Sequence, residues 1–405
     1  MKKVVVIGAG PAGMIAAGTA AANGNKVCLI EKNEKMGKKL RITGKGRCNI
    51  TNSADISDFF AQIPTNSKFL YSALYSFTND DIISLVEKYG VPTKVERGGR
   101  VFPVSDNAHD VAEALRRYAL HKNTEYIRGE VKELLLDGDK VRGVNLKNKT
   151  IEADSVIICT GGMSYPRTGS TGDGYQMAQK AGHEVTKLKP SLIPIETKEK
   201  WVKNIMGLTL KNVGVSAVRN GKKIYDDFGE MIFTHFGVSG PVILSMSSHM
   251  RDVNNGEYKI VIDLKPALDN DVLNKRILSD FEKFKNKHLI NSLDELLPKA
   301  IIPIIIEEAG IEPHIPVNTI TREQRQRLCD AIKNLTLTAV GFRPLSEAII
   351  TSGGVSVKQI NPSTMESKLV SGLFFAGEII DVDAYTGGYN LQIAYSTGYL
   401  AGINV

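Results

Sequence analysis

Apolar and polar positions fall into blocks that read as strand, turn and helix from the first residues. After Lys2 and Lys3, Val4-Val5-Val6-Ile7 is a β-branched run suited to a parallel strand buried on both faces. It runs into Gly8-Ala9-Gly10-Pro11-Ala12-Gly13, and the Ala-rich stretch 12–22 predicts a helix closed by Asn23-Gly24. Residues 27–30 predict a second strand with Glu31 at its end. Much later, residues 155–159 form another buried run ending at Thr160-Gly161-Gly162, and Leu373-Phe374-Phe375 leads into Ala376-Gly377-Glu378. Between these, 213–218, 223–225, 231–233 and 259–263 read as short strands, with Asn220-Gly221 as a hairpin signal. The period then turns helical over 266–333, with breaks at Pro298, Gly310 and Pro313, and a last helix is expected over 391–400.

The first strand–turn–helix–strand unit has the chemistry of a dinucleotide site. Gly8 permits a tight turn, Gly10 lets backbone N–H groups approach a pyrophosphate, and Gly13 lets the helix sit close to the strand. Pro11 and Ala12 open the helix, whose N-terminus faces the phosphates. Glu31, 18 residues after Gly13, is placed to accept hydrogen bonds from the adenosine ribose and disfavours a 2′-phosphate there. Two strands that rejoin this unit more than 100 residues later suit an extended cofactor, FAD, rather than NAD. No second GxGxxG follows a strand, so a separate NAD(P) domain is not expected; either NADH or NADPH visits the flavin as a transient co-substrate, or another donor or dioxygen is the redox partner.

Composition narrows the class. The chain has 405 residues, 42% hydrophobic and 23% charged, which suits two or three globular domains. Cys28, Cys48, Cys159 and Cys329 lie far apart with no ligand spacing, against a disulfide scaffold, a metal site or a thioredoxin-like pair. A cytoplasmic setting follows most simply. The uncharged stretch after Lys3 mimics a signal peptide, but Gly8, Gly10, Pro11 and Gly13 would break its helix, and no other stretch suits a membrane span. The net charge of +7 is concentrated: between Lys26 and Arg47, eight Lys/Arg stand against Glu31 and Glu34. Some of Lys38, Lys39 and Arg41 are expected to offset the pyrophosphate charge. Aromatic residues are not interleaved with these cations as base stacking would want, so no nucleic-acid partner is expected.

Longer motifs carry a resemblance. Gly44-Lys45-Gly46-Arg47-Cys48-Asn49, Thr160-Gly161-Gly162-Met163-Ser164-Tyr165-Pro166, Thr171-Gly172-Asp173-Gly174, Phe233-Thr234-His235-Phe236-Gly237, Thr351-Ser352-Gly353-Gly354 and Thr386-Gly387-Gly388-Tyr389-Asn390-Leu391-Gln392 together resemble the BaiN/YhiN-type NAD(P)/FAD-dependent oxidoreductases, also called aminoacetone-oxidase-like flavoproteins. The resemblance runs from Val4 to Gly402. It implies an α/β fold: a discontinuous, glutathione-reductase-like FAD-binding Rossmann domain over 1–190 and 345–405, a β-barrel-like substrate domain over 191–264 and 334–344, and a helical insert over 265–333. It implies that Gly377 and Glu378 hold the ribityl and pyrophosphate part of FAD. Lys32, Lys39, Arg47, Cys48, Asn49, Val131, Thr160, Gly161, Asp381, Gly388, Asn390, Leu391 and Gln392 are then further cofactor contacts.

The chemistry expected is hydride transfer between flavin and a small organic substrate, favouring an activated C=C beside a carbonyl. An amine oxidase using dioxygen, and a tRNA-directed or non-enzymatic flavoprotein, are the alternatives. The loop into the last helix would direct its free N–H groups at the flavin's pyrimidine edge. His235, between glycine-containing turns, is the candidate proton donor or substrate contact. The inserted region is expected to cover the exposed flavin face, with the helical part as lid or wall.

Overall fold

The computed structural model describes residues 1–250, 253 and 256–405. It divides into two compact units, Met1–Ser191 with Pro344–Val405, and Leu192–Arg343.

The first unit is built on a five-stranded parallel sheet. Its strands are β1 (Lys3–Ile7), β2 (Lys26–Glu31), β3 (Thr124–Arg128), β4 (Ser155–Ile158) and β5 (Leu373–Phe375), in the spatial order β5-β4-β1-β2-β3. All four pairings are parallel. β1 and β4 are central and buried along nearly their whole length, which explains unbroken apolar runs rather than alternation. Of the two late strands, β4 pairs with β1 and β5 pairs with β4, so both join the sheet that the first strand opens.

Helix α1 (Pro11–Ala22) leaves the tip of β1, with Pro11 at its first turn, where a missing N–H costs nothing. Its small residues let the final helix, α2 (Tyr389–Asn404), lie almost backbone to backbone against it. A methyl on Gly398 would meet the Ala12 carbonyl oxygen at 2.4 Å, and one on Gly402 the Ala16 oxygen at 2.7 Å. The final helix begins two residues earlier than the sequence suggests, because Gly388 takes the left-handed cap at φ 105°.

The second unit holds a closed six-stranded barrel of Ile195–Thr197, Gly237–Ser239, Lys222–Phe233, Thr209–Arg219, Tyr258–Asp263 and Leu335–Phe342, in that order. The last strand closes on the first. Asn220 (φ 49°) and Gly221 (φ 77°) make the two-residue turn that their sequence signals. The strands expected over 223–225 and 231–233 are one, Lys222–Phe233. The intervening Asp226, Asp227 and Glu230 are exposed on it, while its backbone stays paired with Thr209–Arg219.

Helices Asn270–Lys283, Ile302–Glu308 and Arg322–Lys333 share the barrel's core through Leu273, Ile277, Ile305, Leu328 and Ile332. Asp269 caps the first, and a Thr321–Gln324 capping box starts the third. The helical stretch thus falls within the same compact unit as the barrel. Among the described residues, no helix is long and apolar enough to cross a membrane.

Candidate cofactor and active site

At the β1–α1 turn three glycines meet different demands. Gly8 has φ +97°, and a Cβ there would lie 2.6 Å from the Cys159 carbonyl oxygen. Gly13 would place its Cβ 1.8 Å from the Gly8 oxygen, so only hydrogen fits where the helix crosses the turn. Gly10 has nothing within 4 Å of the position its Cβ would take. Its bareness keeps a surface open rather than relieving a clash, as close approach of a pyrophosphate to the helix N-terminus requires.

Glu31 is 8% exposed and firmly held. Its Oε2 accepts from the Ala9 N–H at 2.8 Å, and its Oε1 from Asn33 N at 2.8 Å and Asn33 Nδ2 at 2.7 Å. The acid at the end of β2 is thereby oriented by the turn at the end of β1. Two further polar atoms, Thr160 Oγ1 and Asn49 Oδ1, are buried without a partner. Unpaired polar atoms in a protein interior are costly, so each of the two suits a hydrogen-bonding partner such as a bound dinucleotide would supply. Gly161 (φ +74°) makes the turn after Thr160, and Gly377 (φ +79°) would press a Cβ to 2.9 Å of Ala12. These residues fit FAD.

The loop into α2 is fixed by side chains that sequence reasoning assigned to the cofactor. Asn390 Oδ1 accepts from Ala384 N, and its Nδ2 donates to the oxygens of Ala384 and Tyr385. Gln392 is fully buried; its Oε1 accepts from Thr51 Oγ1 at 2.7 Å and its Nε2 donates to the Phe77 oxygen at 3.0 Å. Gly388 is indispensable, since a Cβ would sit 2.4 Å from Thr51 backbone atoms. Both side chains therefore shape the helix entrance, and first-turn backbone N–H groups, Leu391 included, are what the entrance offers a ligand.

The basic loop is largely paired. Lys32 bonds to Asp173. Arg47 bonds to Glu96 and Asp106 and lies 4.2 Å over the Phe102 ring. Arg41 donates to the Met36 oxygen and contacts His109. Lys39 donates to Glu378 Oε2 and Ser164 Oγ, both at 2.7 Å. Lys35, Lys38 and Lys45 are exposed.

Cys48 is fully buried at φ +62°, and burial pushes its thiol up to about 12, so it is a neutral group here. Val131 opens the strand Val131–Asp137 and is 5% exposed. Burial raises the Asp381 carboxyl, with the nearby Asp383 charge adding to the shift. Asp383 itself is buried, accepting from Ser191 and Ser352 hydroxyls. His235, in the second unit, is exposed with its ring edge-on to Phe236 at 4.9 Å. Sequence reasoning gave no role to Asn33, Ser164 or Thr351; the last two stand in the motifs quoted above and join the Lys39–Glu378 pair. Among the described residues no group of three potential metal ligands comes together.

A family model described as the HI0933-like protein Rossmann domain matches residues 2–404. The chain belongs to the HI0933-like family. The chain is an FAD-dependent oxidoreductase, as its motifs imply. It is 31% identical over 407 residues to a 3-dehydro-bile acid delta(4,6)-reductase of Clostridium scindens, covering 99% of this chain and 98% of that one. It is 32% identical over 408 residues to a ribosomal RNA dihydrouridine synthase of Haemophilus influenzae, with the same coverage of each. A 3-ketosteroid delta1-dehydrogenase structure from Sterolibacterium denitrificans shares the fold at TM-score 0.53 and 12% identity, over 99% of this chain and 98% of that one. The HI0933-like assignment agrees with the expected α/β class, parallel nucleotide sheet and barrel. The expectation that no nucleic acid takes part is not supported, because one relative is named for work on ribosomal RNA.

Proposed function

We propose that this HI0933-like enzyme reduces an activated C=C bond conjugated to a carbonyl. One observation carries the reading. Two relatives aligned over nearly the whole chain have names that describe saturation of such a bond, one in a dienone ring system and one in the uracil ring. In the reaction proposed for this chain a hydride goes to the carbon remote from the carbonyl and a proton to the carbon beside it, with NADH or NADPH as the source of the two electrons.

When bound, FAD supplies the hydride chemistry. This chain's residues bind and orient it: Gly8, Gly10, Pro11, Ala12 and Gly13 at the pyrophosphate, Glu31 at the adenosine ribose, and Thr160, Gly161, Asn49, Gly377 and Glu378 along the middle. The α2 entrance presents N–H groups where negative charge is favoured. His235 is the proposed proton donor or substrate contact. Its exposure and its seat against Phe236, whose ring also carries the Arg343 guanidinium at 4.7 Å, support a role in holding a planar substrate.

The small-molecule reading comes first, and uridine in RNA is the second because of the ribosomal RNA relative. Anaerobic reduction of flavin-loaded protein by NADH and by NADPH, followed by reoxidation with a cyclic enone, unmodified ribosomal RNA or dioxygen, tests both. Reoxidation by enone with a saturated ketone as product supports the first reading. Dihydrouridine formed only in RNA replaces it with the second, and reoxidation by dioxygen alone overturns both.

A further inference from the structure

The chain passes from its first unit to its second after Ser191 and returns before Pro344. Lys189–Ser191, which leads to the first crossing, pairs antiparallel with Ile350–Ser352, shortly after the return, as a two-stranded neck. One buried carboxylate holds both strands. Asp383 Oδ2 accepts from Ser191 Oγ at 3.1 Å, and its Oδ1 from Ser352 Oγ at 3.2 Å. The two serines stand at opposite ends of the ladder, so the carboxylate braces it from corner to corner. Thr351, between them in register, donates its N–H to Glu378 Oε1 at 2.9 Å.

The main chain of Asp383 belongs to the loop that enters α2. Ala384, the next residue, is gripped by Asn390 in the first turn of that helix, through bonds of 2.9 Å to its N–H and 2.7 Å to its oxygen. Asp383 therefore has its backbone at the helix entrance and its carboxylate in the neck. Strain opposes order there: Leu192, next after the neck, is buried at φ 54°. A bulky residue keeps that left-handed conformation only where its surroundings impose it. We infer that Asp383 is a positioning residue that couples the cofactor site to the neck. A ligand that fixes the first turn of α2 also fixes, through Asn390 and Asp383, the strands that lead to and from the second unit. By linkage, an ordered neck strengthens the binding of that ligand by the same factor. This coupling rests on the reading of the α2 entrance as part of the FAD site.

Amide hydrogen exchange of the full chain, with and without FAD, tests it at 384–392 and at the neck segments 189–191 and 350–352. Wild type, D383A, D383N and S352A are compared, with FAD affinities from titration. In the wild type FAD is expected to slow exchange at least about tenfold in all three segments. D383A is expected to keep the slowing at 384–392, to lose it to within about twofold in the neck, and to bind FAD about 3- to 10-fold more weakly. D383N can accept from one serine and donate to the other, so it should restore most of the neck response. S352A removes one donor and leaves the carboxylate on Ser191, which keeps the test valid if D383A unfolds; it should weaken the neck response and spare 384–392. A neck that FAD does not slow in the wild type, or slows as strongly in D383A and S352A, overturns the coupling. D383N as impaired as D383A would assign the effect to packing and overturn it as well. Bound FAD that leaves 384–392 unprotected in the wild type would instead place the cofactor away from the α2 entrance, so that the site reading fails first and the coupling with it.

Discussion

The backbone N–H of Ala9 donates to Oε2 of Glu31 at 2.8 Å. This bond ties the turn after β1 to the acid that ends β2. The carboxylate is thus aimed before any ligand arrives, and the cost of ordering it is met in folding rather than in binding.

Replacing Glu31 by Ala is expected to weaken FAD by about 1–3 kcal/mol, the scale of hydrogen bonds to a charged group. Equilibrium binding of FAD to apo-protein measures it. The flavin released on denaturing wild-type protein should be FAD; FMN, which has no adenosine for Glu31 to hold, would contradict the site.

Gly10 and Gly13 separate binding from folding. At Gly10 an added methyl meets open space, so Gly10→Ala should leave the apo melting temperature nearly unchanged while weakening FAD at least tenfold. At Gly13 it lands 1.8 Å from a backbone oxygen, so Gly13→Ala should lower stability by more than about 3 kcal/mol, with poor soluble yield. Paired thermal melts and FAD titrations check both. A G10A protein with wild-type affinity would place the cofactor elsewhere.

Acid sensitivity should trace in part to His183. It is 4% exposed, with Nε2 2.7 Å from Ser367 Oγ and its ring against Phe375, and burial pushes its pKa below the usual histidine value. The unfolded chain then binds the proton more readily than the folded one. The stability this neutral ring provides is complete above about pH 6.5 and is lost as pH falls toward the depressed folded value. Melting temperature measured from pH 7.5 to 5 should fall, and His183→Gln should flatten that part of the profile. An unchanged slope would assign it to other groups.

His235→Ala should retain FAD and the fold while lowering kcat/KM by about 10²-fold on a turned-over substrate, if the imidazole moves a proton. The ring is exposed, so little stability depends on it. The discriminating readout is kcat/KM against FAD retention and melting temperature in the same preparation, with only the first expected to change. Unchanged turnover would return His235 to a surface role.

The sequence by itself determined what local physics controls. A β-branched run before three spaced glycines and a delayed acid can hardly build anything but a nucleotide-binding turn, because glycine spacing and helix entry are set within a few residues. Asn220-Gly221 likewise fixes its hairpin, since both positions need positive φ. The late strands Ser155–Ile158 and Leu373–Phe375 could be read as buried from apolar continuity alone. Tertiary structure decided which charges meet. Nothing near Lys39 in sequence points to Glu378, and nothing near Arg47 makes Glu96 and Asp106 its partners rather than a phosphate. It also decided that Asn390 and Gln392 hold the loop into α2 and that Cys48 is sealed from solvent. Long flexible side chains on a loop have many reachable partners, and only the packing of distant segments removes all but one.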